Sequence, residues 1–195
     1  MSQALRDDLQ LIYDWIPANS RVLDLGCGDG ELLSALARDK NCFGYGLEID
    51  VDSVLEAIKR GVNVIQADLE QGLMAFADDS FDVIVLSQTI QSMQNTETIL
   101  RDLTRVAKEA IVSFPNFGYW RNRLQLALGG HMPVSERMPY QWYNTPNIHG
   151  CTLQDFDALC AKNQVRILER AVMTGANKIA VLPNLLGSLA FYRVG

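Results

Sequence analysis

Apolar residues along this chain switch repeatedly between a helical and a strand-like period. Leu5, Leu9, Ile12, Tyr13 and Ile16 recur at helical spacing, which predicts an amphipathic helix over 3–16, broken by Pro17 to Ser20. Val22 to Leu25 then reads as an apolar strand. Leu32, Leu33 and Leu36 line one face of the next helix, and Val54, Leu55 and Ile58 line another that Gly61 closes. Further strands are expected at Phe43 to Ile49, Val62 to Gln66, Phe81 to Leu86 and Ala110 to Phe114, with a helix marked by Ile99, Leu100, Leu103 and Val106 between the last two. The strand at Phe81 to Leu86 is almost wholly apolar, as expected when both faces of a parallel sheet are covered. Thr152 to Asp155 has the form of a capped helix start, and Val165 to Val172 and Leu189 to Val194 read as the last strands. Alternating strands and helices predict a doubly wound α/β domain. Between Asn116 and Gly150 the regularity lapses.

The chemistry is concentrated where the first strand ends. Asp24-Leu25-Gly26-Cys27-Gly28-Asp29-Gly30 breaks the strand into a turn with a glycine at every second position, and a helical pattern starts at once. Glycine there permits positive φ and lets a ligand approach the backbone. Open α/β sheets bind cofactors at this place, outside the carboxyl ends of the strands. A dinucleotide fingerprint requires a glycine at the position of Glu31. Asp29 and Glu31 would also repel a pyrophosphate from the helix start. A ligand with a cationic centre and no phosphate suits these carboxylates better.

The loop resembles that of the class I S-adenosylmethionine-dependent methyltransferases. That resemblance implies a Rossmann-like, mostly parallel sheet with helices on both faces and an antiparallel C-terminal strand. It further implies a site for S-adenosylmethionine, or S-adenosylhomocysteine, made by Asp24, Gly26, Cys27, Gly28, Gly30, Glu48, Ile49, Asp68, Leu69 and Ser87. Glu48 ends the second strand and is placed to accept both ribose hydroxyls. Asp68 is expected to hold the adenine amino group, with Leu69 beside the ring. Taken singly, Asp24 fits a turn cap, Glu48 a solvated strand end and Asp68 an Asx turn. Three acids at successive strand ends fit a nucleoside site.

Length and composition narrow the class. With 195 residues the chain is long enough for one cored domain over 1–195. A net charge of −6 argues against a nucleic-acid binder, which needs a basic surface. No apolar run approaches membrane-spanning length, and Met1-Ser2-Gln3-Ala4 has no signal-peptide pattern. Cys27, Cys42, Cys151 and Cys160 lack metal-ligand spacing. Reduced thiols in a cytoplasm are expected, with Cys27 and Cys42 as buried fillers and no metal site.

The insertion at about 116–150 is rich in aromatics and prolines and carries Arg121 and Arg123. Irregular stretches this long inside compact domains are usually functional or disordered; the aromatics favour a lid or a partner surface. Its words Phe114-Pro115-Asn116-Phe117-Gly118-Tyr119-Trp120-Arg121-Asn122-Arg123 and Trp142-Tyr143-Asn144-Thr145-Pro146-Asn147-Ile148-His149 resemble those of the methionine biosynthesis MetW family. What this implies is a partner of the homoserine O-acyltransferase MetX, with the acyl group, acetyl or succinyl, left open. The apolar stretch Leu182 to Leu186 fits a dimer face, a partner face or a buried loop.

Three functions stay open at this level. One is an accessory subunit that binds S-adenosylmethionine and modulates the acyltransferase. Another is a methyltransferase acting on a small molecule, for which alignment alone can supply roughly 7–11 kcal/mol of barrier lowering. Ser87-Gln88-Thr89-Ile90-Gln91 offers it amides and hydroxyls but no base. His131, His149, Tyr119 and Tyr143 are the candidates in the insertion, and no catalytic residue is assigned. The third, a nicotinamide-dependent dehydrogenase, is disfavoured by Glu31.

Overall fold

The computed structural model describes residues 5–69 and 73–195. Its centre is β1 (Arg21–Leu25), which pairs in parallel with β2 (Phe43–Glu48) on one side and β4 (Phe81–Ser87) on the other. β3 (Val64–Gln66) adds to β2, and β5 (Ala107–Pro115) adds to β4, both parallel. β8 (Leu189–Val194) runs antiparallel to β5 and to β6 (Ile167–Thr174), whose outer neighbour is the two-residue β7 (Asn177–Lys178). The order is β3-β2-β1-β4-β5-β8-β6-β7. The mostly parallel sheet with an antiparallel C-terminal strand agrees with the expected class.

Helices cover both faces. They are α1 (Asp7–Trp15), α2 (Glu31–Lys40), α3 (Val51–Lys59), α4 (Thr96–Val106), α5 (Trp120–Gly129), α6 (Leu153–Lys162) and the short α7 (Pro183–Leu186). Along β5, Ile111 packs with Ile12, Ile16, Leu36 and Phe191, while Ala110, Val112 and Phe114 pack with Leu100, Leu103, Phe156 and Tyr192. Successive side chains point to opposite faces, so two separate cores explain why the central strands are apolar throughout. The start of α6 carries the expected cap: Thr152 Oγ1 accepts from Asp155 N, and Asp155 Oδ2 accepts from Thr152 N.

Several boundaries and elements differ from the sequence pattern, among them α1, expected over 3–16 and found at Asp7–Trp15. β5 starts at Ala107, directly after α4, so Ala107, Lys108 and Glu109 join the strand expected to open at Ala110. β6 opens at Ile167 because Val165 N is taken by Cys160 O at the end of α6. β3 opens at Val64 rather than Val62, whose N–H donates to Ala57 O at the end of α3. Within the stretch expected to be irregular lies α5, a full helix with Asn122 as its one buried residue. Its leucines, Leu124, Leu126 and Leu128, stand two apart and are all exposed. They make no stripe at a helical period, so the pattern gives no helix signal. Val181 and Leu182, ahead of α7, are also exposed. No helix among the described residues is long and apolar enough to cross a membrane.

Candidate functional site

Strand register builds the glycine turn. Leu25 lies opposite Leu47, and the Gly26 and Cys27 N–H groups both donate to the Leu47 carbonyl, at 2.8 and 3.1 Å. The chain is thereby swung across the strand tips. Gly26 and Gly28 have φ of +75° and +54°, a region that costs other residues roughly 1–2 kcal/mol. Their surroundings differ. A Cβ on Gly26 would stand 2.8 Å from Thr89 Oγ1, whereas one on Gly28 would meet nothing within 4 Å. Gly26 is required by packing; Gly28 leaves bare backbone under open space. Gly30, also at positive φ, is the N-cap of α2.

A cleft of about 520 Å³ lies over this turn, lined by Asp24, Gly26, Cys27, Gly28 and Ser87 from the expected set, with Asp29 and Glu31 beside them. Asp24 is 4 % exposed. Burial, and then the Glu48 carboxylate, push its pKa from 3.8 to about 7. The Cys27 thiol is pushed up to about 12 by burial, Asp24 and Glu48, so it stays protonated and is no nucleophile. It packs under β2, where a Cβ on Gly46 would collide with its Sγ. Ser87 Oγ lies 3.2 Å from Ser113 Oγ.

Glu48, Ile49, Asp68 and Leu69 are not on that wall. Glu48 is turned back onto the loop: Oε2 accepts from Gly28 N at 2.9 Å, and Oε1 from Ile49 N and Asp50 N at 2.8 and 3.0 Å. A carboxylate has about four lone-pair sites, so one remains for an incoming hydroxyl. A second opens only when the Gly28 N–H is released. Ile49 and Asp68 are exposed and Leu69 is buried. Glu48 ends β2 with Ile49 just after it, and Asp68 and Leu69 follow β3.

The cleft has further walls outside the expected binding set. Arg6 and Leu9, at the start of α1, and Gln88, just after β4, line it. Gln88 holds φ +51° and donates from Nε2 to Asp8 Oδ2 at 2.7 Å, which satisfies a carboxylate only 6 % exposed. Arg6 Nε lies 3.7 Å from both Asp8 Oδ1 and Glu31 Oε2. The one sequence signal was Asp8 itself, an acid beside Leu9 on an otherwise apolar helix face. Asp29 is paired with Arg60 at 2.7 Å and Glu31 faces Arg6, so the buried Asp24 is the wall's carboxyl without a cationic partner, one that an incoming cation would ionise.

The insertion does not line this cleft. Its closing segment is pinned nearby instead, with Ile148 N and His149 N both donating to Gln91 O. It walls a separate cavity of about 460 Å³ with Phe117, Met138, Tyr140 and Trp142, which Gln91 and His149 share. Gln91 in turn donates from Nε2 to Gln88 O, linking the two spaces. Of the other insertion candidates, Tyr143 and His131 are exposed, Arg121 lies over the Trp120 ring, and Arg123 donates to Gly118 O. Among the described residues no group of three or more His, Cys, Asp or Glu is placed to hold a metal ion.

Comparison with known proteins agrees with this architecture. The family model "Methionine biosynthesis protein MetW" matches residues 6–194, and the chain belongs to that family. It is 37 % identical over 174 residues to a "Bifunctional methionine biosynthesis protein MetXA/MetW" of Rhodopirellula baltica, covering 85 % of this chain and 28 % of that protein. It is 31 % identical over 98 residues to the "Ubiquinone/menaquinone biosynthesis C-methyltransferase UbiE" of Vibrio campbellii, covering 45 % of this chain and 37 % of the relative. The chain thus spans between about a quarter and two-fifths of these relatives' length. Among solved structures it is similar to an S-adenosylmethionine-dependent methyltransferase of Mesorhizobium loti (TM-score 0.71, 16 % identity, 96 % of this chain and 97 % of that one). It is also similar to the magnesium protoporphyrin IX methyltransferase of Synechocystis with bound S-adenosylhomocysteine (TM-score 0.63, 17 % identity, 95 % and 80 %). At such identities the likeness is one of fold.

Proposed function

We propose that this member of the MetW family is an S-adenosylmethionine-binding subunit that joins the homoserine O-acyltransferase MetX and makes its activity depend on that ligand. The observation that carries the reading is the Rhodopirellula relative, whose name places MetXA and MetW in one polypeptide. Fusion makes encounter intramolecular, at effective concentrations up to the millimolar range, and separate chains would achieve the same by binding. The ligand half of the proposal rests on the cleft. The sulfonium and ammonium would lie near Asp24 and Glu31, the carboxylate would meet Arg6, and the ribose would turn to Glu48, with Ile49, Asp68 and Leu69 along the nucleoside. A cytoplasmic setting fits four cysteines that are all free thiols.

The test is a pull-down of the acyltransferase by the full chain, with and without S-adenosylmethionine, followed by assay of acyl transfer. Association and a ligand-dependent change in rate are expected. Failure to associate in either condition overturns the reading.

A second reading, methyl transfer to a small apolar molecule, is favoured by one observation: the aromatic cavity reached through Gln91. Labelled methyl groups appearing in a metabolite extract would support it. Their absence, with the ligand demonstrably bound, would remove it.

A further inference from the structure

α3 carries more apolar surface than the sheet covers. Val54 and Ala57 are buried, whereas Val51, Leu55 and Ile58 are 54, 49 and 55 % exposed. Leu55 and Ile58 belong to the face expected to turn inward with Val54. At about 100° per residue the exposed three fall within an arc of about 60°, a continuous outer stripe. Ser53 and Arg60 lie on the opposite side of the helix. Ser53 lines the glycine-turn cleft and Arg60 pairs with Asp29, so that side looks toward α2. The stripe therefore looks the other way, past the edge of the sheet. β3 is the outermost strand on that edge, and its Ile65 is exposed as well. An open edge strand beside an apolar stripe is a surface that folded proteins ordinarily keep covered.

We infer that this edge is the interface of a two-fold symmetric dimer, in which α3 packs antiparallel on α3 of a second copy. Charge order along the helix selects that occupant. Asp52 and Lys59 stand seven residues apart, so both lie on the solvent-facing flank of the stripe; the other flank is Val54, against the sheet. Charges flanking an apolar seam set partner choice and orientation, and in an antiparallel pair like flanks meet. With Leu55 on the axis, Val51 packs near Ile58 of the second copy, and each Asp52 meets Lys59 of the other chain. The Asp52 carboxylate has no ion pair or hydrogen bond among the described residues. Lys59 pairs with the exposed Glu56, a surface contact weak enough to share. A parallel pairing would set each charge level with its own like. An anionic membrane is disfavoured, because helices that lie on lipid carry basic flanks, whereas Asp52 and Glu56 stand beside this stripe. The helix has nine residues and is about 14 Å long. The seam thus belongs to the small class of interfaces, and the dimer is weak and concentration-dependent. The inference stands whether or not the chain binds S-adenosylmethionine or the acyltransferase.

The test is sedimentation velocity on the full chain from about 1 µM to about 1 mM. A monomer–dimer equilibrium with a dissociation constant between about 1 and 100 µM is expected for a seam of this size. Leu55→Glu should weaken it by a factor of about ten or more, since it sets two carboxylates on the axis. Asp52→Lys and Lys59→Asp should each weaken it by a factor of about ten. An equimolar mixture of these two variants should regain the natural chain's affinity, because an all-basic flank then meets an all-acidic one. All three positions are exposed, so unchanged melting temperatures are expected. Should Leu55→Glu melt lower, the mixing experiment carries the test, since its variants leave the apolar stripe intact. The inference is overturned by a monomer throughout the range, or by charge variants that mixing does not rescue. A dimer that survives Leu55→Glu, as one formed through Leu182 to Leu186 would, overturns it too.

Discussion

Asp24 gives the most direct handle on the glycine-turn cleft, through pH. Its carboxyl titrates at about 7 in the empty protein because burial and Glu48 disfavour the charge. A sulfonium or ammonium placed beside it reverses that preference, so binding S-adenosylmethionine should drive Asp24 to its ionised form. At pH 6 only about one-eleventh of the empty protein is already ionised, and at pH 8 about ten-elevenths. The affinity should accordingly rise about tenfold from pH 6 to pH 8, and at pH 6 binding should release about 0.9 proton. Calorimetry in buffers of different ionisation enthalpy reads both quantities. In the ligand-free chain the sign is opposite. The folded state holds the proton up to about pH 7 while the unfolded state loses it near the ordinary value of 3.8. Unfolding free energy should therefore fall as pH climbs from about 4 to about 7, by up to about 4 kcal/mol at 1.36 kcal/mol per unit. Asp24→Asn should flatten both slopes. An affinity that does not change between pH 6 and 8, with no proton released, would refute the placement of a cation against Asp24.

Other outcomes follow from named contacts. Gly26→Ala should lower the melting temperature, since strain at φ +75° is joined by a clash with Thr89. Gly28→Ala meets nothing within 4 Å, so calorimetry should show ligand affinity reduced more than stability. Glu48→Ala should weaken S-adenosylmethionine binding by roughly tenfold or more through lost charge-assisted hydrogen bonds; unchanged affinity would remove Glu48 as the ribose acid. Thr152→Ala breaks the cap of α6 and should cost about 1 kcal/mol in denaturant unfolding without changing ligand affinity.

Local pattern was enough to determine the frame. Unbroken apolar strands, glycines at 26, 28 and 30, and acids at 24, 48 and 68 are each short-range features, and strand ends in an α/β sheet lie in a row by construction. The Thr152–Asp155 cap was legible because it, too, closes within four residues. Packing across distant segments decided the rest. Asp8 is paired with Gln88, eighty residues away, so the acid on the apolar face of α1 is a local signal whose partner only the fold supplies. Gly46 is a glycine because Cys27 fills its side-chain space, a relation that exists only once β1 and β2 pair. α5 shows no apolar stripe because it packs through Asn122 rather than through leucines. That same asparagine reaches back to Asn116 and Phe117 and leaves its oxygen bare, and whether a polar atom is satisfied depends on what the fold brings to it.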